Sequence, residues 1–188
     1  KYENFWPADV HVIGKGIIRF HAIYWIAFLL SAKLPLPKSI FVHGYFTVDG
    51  QKMSKTIGNV VDPITLIEKY RTDALRYYFL KEISPTDDGD FSEEKLKVLY
   101  NSDLANGLGN LVARVAKLAE SCSIRFTEGS DSFSIEFRTL LENYEFEKAI
   151  AYIWRMIKTT DQAINFHQPW KIEDQNEKQD MVAGFGSQ

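Results

Sequence analysis

Cysteine is nearly absent: Cys122 is the single thiol among 188 residues, which excludes an internal disulfide and leaves no thiolate pair for a zinc knuckle, so no zinc site is expected within this chain. Long apolar runs are missing as well. The longest, Ala22 to Leu30, is too short to span a bilayer and suits a buried helix, so no membrane partner is expected. Nor is there an excess of positive charge. Lys and Arg number 22 against 25 Asp and Glu, a net charge of −3, which argues against a broad phosphate-binding surface. No repeat or low-complexity stretch is visible. A hydrophobic content of 45% is ordinary for one or two globular domains, and the lone thiol fits a reducing compartment, so a cytoplasmic location is expected.

What is present is concentrated in one short run, Lys52-Met53-Ser54-Lys55-Thr56, followed by Gly58 and Asn59. Two ammonium groups on a short loop can stabilise the negative charge that builds on a departing polyphosphate, and losing one such contact costs roughly 3 kcal/mol in comparable sites. Ser54 and Thr56 can donate to phosphate oxygens or brace the loop. The bland alternative is a solvated Lys/Ser loop. Just upstream, Phe41 to Val48 is aromatic and β-branched and runs into Asp49-Gly50, a favoured hairpin turn, so strand, turn and lysine loop are expected in order.

Farther upstream, Trp6 to Lys15 reads as a short buried strand ending at Gly14, and Ile17 to Lys33 as a helix. That order suits one crossover of a parallel sheet, whose ligands gather at the carboxyl ends of strands. Downstream, Asp62-Pro63 and Thr72 mark two helix starts, covering Ile64 to Tyr70 and Asp73 to about Lys81. The acidic stretch Ser84 to Asp90 breaks the pattern and lacks the spacing of a calcium loop, so no metal ligand is assigned. From Ser92, apolar residues recur at helical spacing from Leu96 to Leu118. Phe146 to Ile164 forms a second such face, with a polar break at Ser130 to Ser134 and a shorter helix over Ile135 to Leu141. Asn106, Asn110 and Arg114 fall four apart on the first long helix and so line one surface stripe, and Gly107 and Gly109 in the same helix call for a close approach to the backbone.

Taken together, Trp6-Pro7-Ala8-Asp9, His11 to Lys15, Phe20-His21, His43-Gly44-Tyr45, the lysine loop, Asp73-Ala74-Leu75-Arg76, Asn101 to Arg114 and Pro169-Trp170 resemble the methionyl-tRNA synthetase family over nearly the whole chain. The resemblance implies an α/β plus all-α protein: the second half of a Rossmann-like nucleotide-binding fold in residues 1–57, a linking segment in 58–92, and a helical anticodon-binding domain in 93–188 that is short for the family. It implies an enzyme using methionine, ATP with Mg²⁺, and tRNA(Met). In it the Lys52–Thr56 loop serves ATP, with Lys52 and Lys55 catalytic, His21 lines the methionine pocket, and Asn110, Arg114 and Trp170 read the anticodon. Unpaired bases are recognised by stacking and edge hydrogen bonds, which need little net charge. Trp6, Trp25 and Trp154 are expected to pack. His11 and His43 are placed on strands without metal spacing, and His167 is expected to end a helix.

Two departures matter. The family's first signature, His-x-Gly-His, is not in this chain, so the 188 residues are expected to be a fragment without activity of their own. Gly16 stands where the family usually carries an acidic residue. The alternatives are another class I synthetase or a noncatalytic RNA-binding or docking module.

Overall fold

A computed structural model describes residues 2–122 and 133–186 and divides the chain into two compact units. The first comprises residues 1–62 and 82–92; the second comprises 63–81 and 93–188.

All five strands described lie in the first unit. Strand β1 (Val10–Gly14) runs into a helical segment that opens with a 3-10 turn (Lys15–Ile17), passes through a π turn (Phe20–Tyr24) and ends in α1 (Trp25–Ser31). The expected single helix is therefore present but unevenly wound. The chain returns in β2 (Ser39–His43), which pairs parallel with β1 from Val10 opposite Ser39 to Gly14 opposite His43. The apolar run from Phe41 to Val48, read above as one strand, is two. It breaks at Gly44, where a Cβ would lie 1.9 Å from the Asp87 carbonyl oxygen, and resumes as β3 (Phe46–Val48) in a second sheet of order β4-β3-β5. Gly44 is required there because backbone fills the space of a side chain.

Strand β3 turns back on β4 (Gln51–Lys52) through Asp49 (φ 50°) and Gly50 (φ 75°). Two consecutive positive φ angles are what a two-residue hairpin matched to strand twist demands. The third strand, β5 (Gly89–Phe91), pairs parallel with β3 and lies within the acidic stretch that the sequence reading left as a break. Three residues containing Gly and Asp carry no strand periodicity, and pairing alone makes them β.

The second unit is helical in its described residues. It contains α2 (Pro63–Tyr70), α3 (Thr72–Glu82, whose last residue belongs to the first unit), α4 (Glu93–Leu99), a π-helical stretch (Tyr100–Gly109), α5 (Asn110–Ser121), α6 (Ile135–Glu142), α7 (Phe146–His167) and α8 (Gln175–Gly186). Of the expected polar break, residues 130–132 lie outside the described residues. Ser134 caps α6, its Oγ accepting from the Phe137 N–H at 3.1 Å. Residues 63–81, assigned to a linking segment above, group with the helices for a visible reason: Trp154 Nε1 donates to Tyr77 Oη at 2.6 Å, and Tyr77 Oη donates to Asp103 Oδ2 at 2.6 Å. Lys81 pairs with the same carboxylate. Tyr78, Leu96, Ile164 and Val182 are the large fully buried side chains of this unit, and Val182 of α8 packs with Ala119 and Cys122.

The two units differ in how well they cover their apolar residues. Among the large apolar side chains described in residues 2–62, Ile13 and Leu29 are buried, whereas Phe5, Val12, Phe20, Ile23 and Phe28 are exposed.

The Asp103 carboxyl is pushed up by burial, but hydrogen bonds from Lys81, Tyr77 and Ser102 outweigh this and hold it below its ordinary value of 3.8. A carboxyl lowered in the folded state stabilises the fold fully above its unfolded value, and that contribution is lost as pH falls through the lower folded value. Asp103→Ala is expected to cost about 1–3 kcal/mol of unfolding free energy at neutral pH by stranding Tyr77 and Lys81. Asp103→Asn should flatten the loss of thermal stability below about pH 4, as measured by melting curves across pH.

Candidate functional site

The lysine loop is built from the hairpin outward. Asp90 Oδ1 accepts from the Thr47 hydroxyl at 2.6 Å and from the Gly50 N–H at 2.7 Å, and the Asp49 N–H donates to the Phe91 carbonyl at 3.1 Å. These bonds dock the hairpin tip on β5. Beyond Lys52, the Ser54 Oγ accepts from the Thr56 N–H at 3.2 Å and the Ser54 carbonyl accepts from the Gly58 N–H at 3.1 Å. Gly58 takes φ 77°, which closes the turn. Lys52 and Lys55 are exposed, and neither ammonium group has a partner among the described residues. Ser54 is half-buried and braces the loop, while Thr56 is exposed.

His21 sits in the π turn and lines a cleft of about 830 Å³ whose walls include His11, Val12, Phe20, Tyr24 and Trp25. Its Nδ1 lies 3.0 Å from the Ile17 carbonyl oxygen, so Nδ1 is the donor and Nε2 takes no part in that bond. From the sequence, His21 is expected at a pocket, Trp25 is expected to pack and His11 carries no role; all three line this cleft. Trp25 does pack edge-on against Trp6 at 6.0 Å between ring centres, and it also lines the cleft. The buried Nδ1 of His11 has no hydrogen-bond partner. The signal available in the sequence was the aromatic spacing Phe20, Tyr24 and Phe28, which is one helical face.

Gly16 is explained by Tyr45. A Cβ at position 16 would lie 2.1 Å from the Tyr45 hydroxyl oxygen. The Lys15 ammonium stands 4.8 Å from the centre of the Tyr45 ring and pairs with Asp88 at 2.5 Å, and the Tyr45 N–H donates to Asp88 Oδ1 at 2.7 Å. Hydrogen bonds from Lys15 and then the Tyr45 backbone hold the Asp88 carboxyl below its ordinary value. With Asp87 bonded by Ser84 and Asp90 engaged at the hairpin, the acidic stretch is committed to internal contacts. No group of three or more metal-ligating side chains is assembled among the described residues.

In the second unit, Asn106, Asn110 and Arg114 line one cleft of about 780 Å³ with Trp154 and Asp161. The expected stripe thus survives the passage from π winding to α winding. Arg114 is held across to α7, with Nη1 donating to Asp161 Oδ1 at 2.5 Å and Nη2 to Asn165 Oδ1 at 2.8 Å. Asn110 is exposed. Gly107 admits the edge of Trp154, whose ring atoms would sit 3.0 and 3.1 Å from a Cβ there, so at Gly107 the close approach is made by a side chain, whereas at Gly109 a Cβ would meet the Leu104 carbonyl oxygen at 3.1 Å. Trp170 is not part of this cleft. It lies on a 3-10 turn (Pro169–Lys171) after Gln168, the left-handed cap of α7, and is 51% exposed while Pro169 is fully buried.

A family model described as tRNA synthetases class I (M) matches residues 1–116. The chain is 40% identical to methionine–tRNA ligase 1 of Bacillus cereus over 199 aligned residues, covering 97% of this chain and 30% of that protein. It is 42% identical to the methionine–tRNA ligase of Rhizobium meliloti, covering 90% of this chain and 36% of that one. This chain belongs to the methionyl-tRNA synthetase family. A solved member, Mycobacterium tuberculosis methionyl-tRNA synthetase bound by methionyl-adenylate, matches with a TM-score of 0.85 and 34% identity over 98% of this chain and 39% of its own. The chain therefore spans about a third of the length of the family members it matches. No described helix is long and apolar enough to cross a membrane.

Introducing Gly16→Ala is expected to push the Tyr45 ring aside and to cost about 1 kcal/mol, at the low end for overpacking because that ring is exposed and can swing. In a Tyr45→Phe background the cost should shrink, since the atom nearest the new Cβ is gone. A double-mutant cycle by thermal unfolding measures the difference.

Proposed function

We propose that the protein carrying this chain is a cytoplasmic methionine–tRNA ligase. It joins methionine to ATP with Mg²⁺, releasing pyrophosphate and forming methionyl-AMP, and then passes the methionyl group to tRNA(Met) with release of AMP. Residues 1–57 serve as the second half of a Rossmann-like catalytic domain, 58–92 as the link, and 93–188 as an anticodon-binding helical domain, with α2 and α3 of the link carried by the helical unit. The observation that carries the reading is the lysine loop: a self-braced turn that leaves the ammonium groups of both Lys52 and Lys55 without a partner among the described residues.

Charge develops on the β- and γ-phosphates as the bond from the α-phosphorus to its bridging oxygen breaks, and mobile ammonium groups at that place lower the barrier without binding the ground state equally well. Ser54 and Thr56 support the loop: Ser54 holds its turn and Thr56 leaves a hydroxyl for a phosphate oxygen. His21 offers Nε2 to the methionine pocket, whose apolar walls are Val12, Phe20 and Trp25. The exposed apolar face of the first unit is the seat for the remaining half of the catalytic domain, which supplies the His-x-Gly-His signature. Asn110 and Arg114 offer an amide and a fixed guanidinium to base edges, and Trp170 offers a free face for stacking, worth roughly 1–3 kcal/mol per base.

Lys55→Ala in the complete ligase is expected to lower kcat for methionine-dependent pyrophosphate exchange by about a hundredfold while changing the KM for ATP little. Equal effects on both would contradict a transition-state role. The helical unit should bind an RNA hairpin carrying the anticodon CAU in preference to one with a single base changed, and Trp170→Ala should abolish that preference with helical circular dichroism intact.

A further inference from the structure

The loop that presents Lys52 and Lys55 is closed by a side chain outside the five-residue run. Asn59 Oδ1 accepts from the Ser54 N–H at 2.8 Å, and Asn59 Nδ2 donates to the Lys52 carbonyl oxygen at 3.1 Å. The orientation of the amide is forced, because a main-chain carbonyl only accepts and an N–H only donates. One planar group thus spans the start of the loop from a position seven residues along the chain. Both of its bonds go to backbone, so the lysine side chains stay free of it.

We infer that Asn59 is a positioning residue for the lysine loop: its amide clamps the loop shut at Lys52 and Ser54 and so fixes where the two ammonium groups stand. The inference rests on the proposed role of those lysines at the polyphosphate. Two other bonds in the loop are local: the Thr56 N–H to Ser54 Oγ and Gly58 N–H to Ser54 carbonyl bonds shape the turn at its tip, while Asp90, from β5, holds the hairpin before it. Asn59 alone among these ties residue 52, which ends β4, to the residues after the tip. Without the amide, Gly50 on one side and Gly58 on the other leave the segment between them free to open. A lysine displaced by even an ångström or two loses much of its catalytic effect, since positioning errors of that size cost on the order of a hundredfold in rate.

The test uses the complete ligase with Asn59→Ala, Asn59→Asp and, as a control, Lys55→Ala. Pyrophosphate exchange gives kcat and the KM values for ATP and methionine; trypsin cleavage after Lys52 and Lys55 reports loop opening; melting temperature reports the fold. Asn59→Ala should lower kcat at least tenfold, leave the KM for methionine and the melting temperature unchanged, and speed cleavage after Lys52 and Lys55. Asn59→Asp, which keeps the acceptor for the Ser54 N–H and loses the donor to Lys52, should fall between Ala and the parent in cleavage rate. An unchanged kcat for Asn59→Ala, alongside a large loss for Lys55→Ala, overturns the inference. If Lys55→Ala itself has no effect, the lysine reading fails instead, and the cleavage rates decide the clamp on their own: no acceleration by either Asn59 variant overturns it.

Discussion

The first unit is fastened by two carboxylates on one short acidic stretch. Asp88 reaches Lys15 at the end of β1 and the Tyr45 N–H at the entry to β3, and Asp90 reaches Thr47 and Gly50 on the hairpin. Strand β5 begins just after Asp88, contains Asp90 and pairs with β3. The two sheets share no strand, so these charge-assisted bonds, together with the close contact at Gly44, set where the hairpin stands relative to the β1 crossover. The lysine loop inherits its place from that arrangement. Among the described residues its lysine side chains take no part in holding it, and only the Lys52 backbone does.

The helical unit solves a different problem. Its cleft sets polar side chains on largely apolar walls, and several of those polar groups are restrained by their neighbours. Trp154, Tyr77, Asp103 and Lys81 form a connected chain of donors into one carboxylate, and Gly107 gives the Trp154 ring its room. Arg114 is restrained by Asp161 and Asn165. A guanidinium held by two acceptors has less rotamer freedom to lose on meeting a ligand, and it still has donors to spare. This local economy is compatible with a net charge of −3: a few fixed polar groups and an exposed aromatic face can recognise unpaired bases without a basic surface.

Both units leave large apolar side chains in the open. The unit bearing the lysine loop exposes Val12, Phe20 and Phe28 along the cleft that contains His21, while the helical unit buries Tyr78, Leu96 and Ile164 and yet exposes Ile135 and Phe166.

The residues alone determined much of this. The hairpin turn followed from Asp49-Gly50, because few other pairs tolerate two positive φ angles. The helix starts followed from Pro63, Thr72 and Ser92, and the lysine loop and the family from motifs written contiguously in the chain. Local chemistry of that kind needs no partner distant in sequence. What the residues did not reveal were the break at Gly44, strand β5, the uneven winding of the segments around Phe20 and Tyr100, the clamp by Asn59 and the restraint of Arg114. Each depends on a group brought close by the fold: Asp87 against Gly44, β3 beside Gly89, the Ser54 N–H facing Asn59, Asp161 across from Arg114. Periodicity records which face of an element is apolar. It does not record what will stand opposite, and only the tertiary structure decided that.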